Sequence, residues 1–232
     1  MSREEEAAEC GKLVGWSVRR AARPRSTGAG TLGGIEPVPA ALPLAFSFSD
    51  AWSYLWLGFT HIMPQGYDHM LFVAGLFLFA PQWRPLLLQV TAFTLAHTLT
   101  LAFAVLGFVS VSPRIVEPLI ALSIVWVGVE NLWRRELGKA RLAVVFGFGL
   151  LHGLGFAGAL KELAVDRATL VPALLCFNFG VEVGQVAVLA IMFVALGWAR
   201  EREDYRRRVI VPGSIGIAVL AAWWTVQRTL GL

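Results

Sequence analysis

Cysteine is nearly missing from this chain, and charge is scarce. The two thiols, Cys10 and Cys176, lie far apart, one near the start and one in an apolar block, so they make neither a disulfide framework nor a cysteine-rich metal motif. Only 16% of the 232 residues are charged, and four are histidine. No glycine-rich phosphate loop occurs, so the chain carries no nucleotide-hydrolysing motif of its own. Neither residues 13–18 nor 40–48 supply the apolar core of roughly seven to fifteen residues that a secretory signal needs. The formal charge of +4 would suggest a nucleic-acid partner in a soluble protein, but here the arginines sit in short connections between apolar blocks. They report orientation, and nucleic acid drops out as a partner.

What is present is apolar surface: 56% hydrophobic residues, gathered in long blocks rather than amphipathic stripes. That composition predicts an all-α polytopic membrane protein with the lipid bilayer as its surroundings. Residues 1–45 combine Glu4, Glu5 and Glu6 with Arg19, Arg20, Arg23 and Arg25 and lack hydrophobic periodicity, which reads as a mobile tail. Residues 46–232 read as a six-helix transmembrane domain. A short block at 50–63 with Trp52, Tyr54 and Trp56, capped by Ser49 or Asp50, reaches only about two-thirds of a bilayer and is expected to lie at the interface. Six spans follow, near 67–80, 86–108, 113–133, 141–163, 170–198 and 209–229. Arg134, Arg135, Lys139 and Arg141 in one loop and Arg200, Arg202, Arg206, Arg207 and Arg208 in another predict those loops to be cytoplasmic, with both termini extracytoplasmic.

All four histidines, His61, His69, His97 and His152, fall in or at the mouth of apolar blocks. Ionisable groups at membrane depth cost roughly 2.5 to 3.5 kcal/mol each on insertion scales, so several together call for a compensating function. In the stretch from Gly58 to Phe72, His61, Asp68 and His69 flank Pro64 and Gly66, which interrupt a helix. Imidazole and carboxylate together suit a divalent transition metal. A solvated helix N-terminus with a favourable Asp68 is the plainer alternative.

Counting from the loops places His97 and His152 near the midplane, with Glu182 at similar depth. Asn178, Glu182 and Gln185 share one helical face by their i, i+4, i+7 spacing. The depth count suggests an outer site of Asp68, His69 and Glu117, a middle site of His97, His152 and Glu182, and an exit at Glu130. His97, flanked by Thr94, Thr98 and Thr100, reads equally as a hydrogen-bonding partner of a neighbouring helix, and Glu130 as a boundary carboxylate paired with Arg134. Gly149 with Gly153 and Gly180 with Gly184 make small-residue pairs that let helices approach, bringing His152 and Glu182 together or offering a face for homo-oligomers.

These blocks resemble the HupE/UreJ family of bacterial membrane proteins. The likeness rests on five segments in one order: His61 to His69, Thr91 to Thr100 around His97, Glu117 to Ser123, Phe146 to Gly158 with its His152-Gly153, and Phe177 to Gln185 around Glu182. It implies a six-span secondary permease for nickel or cobalt as substrate, with His61, Asp68 and His69 matching the first motif and His152 and Glu182 elements of the later ones. Zinc and copper are further candidates for the ion. Two departures mark a divergent branch. Six residues, Ile62 to Tyr67, separate the first histidine from Asp68-His69 where the nickel-permease form has five, and Phe156 stands near where a second His-Gly would fall. A second class of function, an intramembrane zinc-dependent hydrolase using Asp68, His69, His97 and His152, remains open on residue types alone. No catalytic residue is assigned.

Overall fold

The structure is a computed structural model and describes residues 46–79, 82–134, 138–162 and 169–231. The tail expected at 1–45 lies outside these residues, as does the loop around Asp166. All regular structure among the described residues is helical. In chain order the helices are α1 (Phe48–Ile62), α2 (Tyr67–Phe79), α3 (Trp83–Val105), α4 (Pro113–Trp133), α5 (Lys139–Glu162), α6 (Leu170–Leu196) and α7 (Val211–Leu230). A short 3-10 turn, Gly197–Ala199, follows α6, and a π-helical turn, Arg206–Ile210, leads into α7.

Among the described residues, four stretches are long and apolar enough to cross a membrane: Trp83–Val105, Pro113–Trp133, Leu170–Ala199 and Arg206–Leu230. The segments Tyr67–Phe79 and Ala140–Phe156 are apolar but shorter. Trp52, Trp56, Trp83, Trp133, Trp198 and Trp223 are exposed, as suits side chains facing lipid or its interfaces. The chain is a multi-pass membrane protein.

Three helix pairs carry most of the packing: α1 on α6, α3 on α5 and α4 on α7. The first two depend on glycine. Gly58 of α1 lies against the Phe177 carbonyl of α6, and Gly180 of α6 lies against the Leu55 carbonyl of α1, so a side chain at either would collide with backbone. Gly149 and Gly153 meet α3 in the same way, at Phe93, Ala96, His97 and Thr100. Hydrocarbon supplies no hydrophobic drive between helices, so this close approach is what holds the pairs. It also corrects an expectation. Gly149 and Gly153 of α5 face α3, and Gly180 and Gly184 of α6 face α1, so these pairs do not pull α5 and α6 together.

The interface glycines set direction. Leu55 and Phe59 lie beside Gly180, Gly58 beside Phe177 and Val181, and Ile62 beside Gly184, so α1 and α6 run parallel. Further along α6, Phe193 packs against Phe77 of α2, with ring centroids 4.8 Å apart. Helices α1 and α2 therefore follow one another along α6. Ser47 caps α1, accepting from the Asp50 amide at 3.1 Å while Asp50 accepts from the Ser47 amide at 2.9 Å, a capping box where Ser49 or Asp50 was expected as cap. Between the two helices, Met63 to Gly66 break the ladder, and the Gly66 and Gln65 amides fold back onto the Ile62 and Thr60 carbonyls.

Helix α2 is the short central element. Its 13 residues at about 1.5 Å each reach roughly 20 Å. It is apolar around its whole circumference and touches α1, α3, α4, α6 and α7, with His69, Phe72, Val73 and Gly75 to Leu78 buried.

Candidate metal site and its supports

The break after Ile62 aims His61 and His69 at the same interior space, one from the last turn of α1 and one from the first turn of α2. Helix α3 brings His97 to it and α5 brings His152. Ligand atoms of His61, His69 and His97 all lie within 4.8 Å of one another. His69 also stands 4.9 Å, ring centroid to centroid, from His152. Sequence depth divided these side chains between an outer and a middle site, and the structure brings all four to one place. The reason is the helix break, which sets residue 61 of α1 beside Gly184's neighbours near the middle of α6 instead of at its end.

The rings are held in definite orientations. Asn178 of α6 donates its Nδ2 to the Leu174 carbonyl at 2.8 Å, which turns its Oδ1 towards His97, and His97 Nδ1–H donates to that oxygen at 3.3 Å. His152 Nδ1–H donates to the Phe148 carbonyl at 2.9 Å. With Nδ1 carrying the proton, Nε2 of each ring keeps a free lone pair. The Nε2 atoms of His61, His69, His97 and His152 are all buried without a hydrogen-bond partner. Buried nitrogen is normally paired, so four such atoms in one cluster form a candidate donor set for a cation. A carbonyl or carboxamide behind the ligating imidazole is the usual support of a metal-binding histidine.

Aromatic rings close the surroundings. Phe72 and Phe93 lie 5.4 and 4.9 Å from His152, and Phe177 lies 5.7 Å from His61. Phe156, the residue at the divergent position, packs on His61 at 4.1 Å and stacks on Phe177 at 4.9 Å. The departure from the resembled motif thus falls in the wall of this cluster.

The other expected residues take different partners. Asp68 turns from the imidazoles to Arg228 of α7, whose Nη2 sits 3.0 Å from both carboxylate oxygens. Arg228 Nη1 also donates to the Glu117 carbonyl at 3.2 Å. The polar face of α6 meets α3: Asn178 reaches His97, Glu182 Oε1 accepts from Thr91 at 2.5 Å, and Gln185 Oε1 accepts from Thr94 at 3.1 Å. Glu182 is therefore bonded to Thr91 of α3 rather than to His152.

Glu130, expected as an exit, anchors a buried knot. Arg141, expected in a loop, is 1% exposed and donates Nη1 to Glu130 at 2.9 Å, Nη2 to Asn131 at 3.1 Å and Nε to Gln89 at 3.2 Å, with its guanidinium 4.2 Å above the Phe79 ring. Arg134 Nε lies 3.0 Å from the other Glu130 oxygen. Asn131 Nδ2 donates to the Gly75 carbonyl at 2.8 Å and to Ser214 at 3.2 Å. Arg206 donates to the Leu132 carbonyl at 2.7 Å, covering open carbonyls at the end of α4. Sequence reasoning missed two of these roles. The signal for Arg228 was an arginine at the end of an otherwise apolar span; the signal for Arg141 was its place in the first turn of α5 rather than before it.

A family model described as HupE / UreJ protein matches residues 44–228. The chain belongs to the HupE/UreJ family. A search of curated proteins and a search of solved structures return no match. Membership in this family of transporters implies movement of a transition-metal ion.

Proposed function

We propose that this HupE/UreJ protein is a secondary permease for a divalent transition-metal ion, nickel or cobalt by family resemblance, and that His61, His69, His97 and His152 form its transient binding site. The observation that carries this reading is the convergence of His61, His69 and His97, whose ligand atoms lie within 4.8 Å of one another, with the His152 ring 4.9 Å from that of His69 and hydrogen bonds at Nδ1 orienting His97 and His152. Imidazole suits nickel, cobalt, copper and zinc alike, so the ion is chosen by geometry and supply rather than by affinity order. Glu117, Asn178, Glu182 and Gln185 serve the pathway in supporting roles: Asn178 orients His97, and the Glu182–Thr91 and Gln185–Thr94 contacts line the α3–α6 seam next to it.

In this reading the domain is residues 46–232 and crosses the membrane six times, with α1 and α2 as two halves of one broken span. Their 15 and 13 residues reach about 42 Å together at about 1.5 Å each, close to the roughly 40 to 45 Å of a bilayer with its headgroups. The block at 48–62 then enters the membrane instead of resting on it. A helix interrupted in mid-membrane opposite a polar site is a recurring feature of secondary transporters. The arginine-rich segments near Arg134 and Arg206 set those ends towards the cytoplasm, with both termini outside. The hydrolase alternative takes Asp68 into the zinc site with His69, His97 and His152, and that carboxylate is instead paired with Arg228.

Uptake into proteoliposomes tests the reading, with nickel, cobalt, copper, zinc and iron offered separately. Wild-type uptake of at least one ion is expected, abolished by His69→Ala and by His97→Ala. Flux that neither substitution alters removes the four-histidine site from the pathway.

A further inference from the structure

The Asp68–Arg228 pair stands outside the four-histidine cluster, yet it is tied to it through the chain, because the carboxylate belongs to the residue immediately before His69. Arg228 lies in the last turn of α7, in an otherwise apolar run, where an arginine is costly unless it is paired. It is paired three ways: with both oxygens of Asp68 at 3.0 Å, with the Glu117 carbonyl at 3.2 Å, and with the Trp224 ring at 5.6 Å. It thereby joins α7 to the start of α2 and to the first turns of α4. Pair members are about a quarter exposed, which leaves them able to exchange partners, whereas the Glu130–Arg141 pair is sealed at 1–2%.

The four imidazoles bring donor atoms but no negative charge. A divalent ion seated among them carries two positive charges into a weakly screening environment, and the carboxylate attached to the site through His69 is the group built to offset them. While the site is unloaded, the same carboxylate would be an uncompensated charge, and Arg228 neutralises it. We infer that Arg228 is a resident stand-in cation: it holds Asp68 while the histidines are empty, competes with the arriving ion for that carboxylate, and so keeps metal affinity low enough for release. Arg228 acts through Asp68 and is a positioning residue. This inference rests on the four-histidine reading of the site.

The competition gives opposite signs at the two partners, which a purely structural ion pair would not. In the full-length chain in lipid nanodiscs, titrated calorimetrically with nickel and with cobalt, Arg228→Gln is expected to bind at least about tenfold tighter and to release metal more slowly. Arg228→Lys, which keeps the charge, stays near wild type. Asp68→Asn binds more weakly, and Asp68→Asn with Arg228→Gln matches Asp68→Asn, since the arginine acts only through the carboxylate. If wild type binds and Arg228→Gln is unchanged or weaker, the inference is overturned while the site stands. If wild type binds neither metal, the four-histidine reading falls and takes the inference with it. Should Arg228→Gln fail to fold, Asp68→Asn decides alone: unchanged affinity there overturns the proposal.

Discussion

Two buried polar clusters sit in this apolar bundle, and they differ in what they leave unpaired. Around Arg141, all three guanidinium nitrogens have acceptors, both Glu130 oxygens face arginines, and Asn131 is bonded on both sides. Around His69, four buried Nε2 atoms have no partner among the described residues, and hydrogen bonds at Nδ1 turn two of the rings. A group removed from water without a partner costs about 1–3 kcal/mol, so four such atoms in one place favour a ligand that takes them as donors. The first cluster is architecture; the second is shaped for a guest. Charge follows the same division, since the knot at the end of α4 is ionic and the histidine cluster has only neutral donors.

The sharpest way to break this comparison is to unpair the knot. Glu130→Ala leaves Arg141 buried without its carboxylate, and the loss of stability should reach about 3 to 5 kcal/mol. Replacing both members, Glu130→Met with Arg141→Met, should restore most of it, as read from thermal unfolding in detergent. A single substitution that leaves the melting temperature unmoved would show that the knot is not structural. The histidine cluster should respond in the opposite sense. His69→Ala is expected to weaken metal binding by about a hundredfold, or about 2.7 kcal/mol, while metal-free stability is unchanged or improved, because an unpaired buried nitrogen is removed. Equal destabilisation by both substitutions would erase the distinction.

The contrast also explains which parts of the molecule the sequence made legible. Apolar blocks and loop arginines placed α4 at Pro113–Trp133, where the structure has it, and the other long helices to within a few residues. Those limits are set by the chain's own composition. The i, i+4, i+7 face of Asn178, Glu182 and Gln185 was legible for the same reason, and the structure turns all three to α3. What it faced was not, because helix pairing depends on which glycine meets which backbone. Gly58 and Gly180 decided that α6 packs on α1, and the sequence alone pointed to α5. The merging of His61 and His69 with His97 and His152 was hidden by the same uncertainty: a depth count presumes straight spans, and the break at Met63 to Gly66 moves one histidine relative to the rest. Arg228 escaped notice because an arginine near a helix end ordinarily snorkels to the interface, and only its contact with Asp68 shows another use.

Within the histidine cluster the comparison can be sharpened by altering a support rather than a ligand. Asn178→Leu removes the acceptor that fixes His97 Nδ1 and leaves the imidazole in place. Losses of this kind in metal sites are about 10- to 100-fold in affinity, and the lower end is expected here, since His61, His69 and His152 remain. The binding isotherm reads it, and the same protein should melt within about 1 kcal/mol of wild type, the usual scale of one interhelical hydrogen bond in a membrane. Affinity equal to wild type would mean that the bond orients nothing the ion uses.

The smallest effect is expected at Thr91, and it tests to which of the two clusters Glu182 belongs. Thr91 donates to the Glu182 carboxylate at 2.5 Å, a bond between α3 and α6. If that bond only joins helices, Thr91→Val should cost about 0.6 kcal/mol of stability, the average found for such bonds in membrane proteins, and leave uptake alone. If Glu182 carries a proton during transport, the dependence of uptake on an imposed pH gradient should shift in Thr91→Val while stability barely moves. Comparing Thr91→Val with Glu182→Gln under the same gradient separates the outcomes, because the carboxamide cannot carry the proton at all. Gradient dependence retained in Glu182→Gln would assign Glu182 to architecture, beside Glu130.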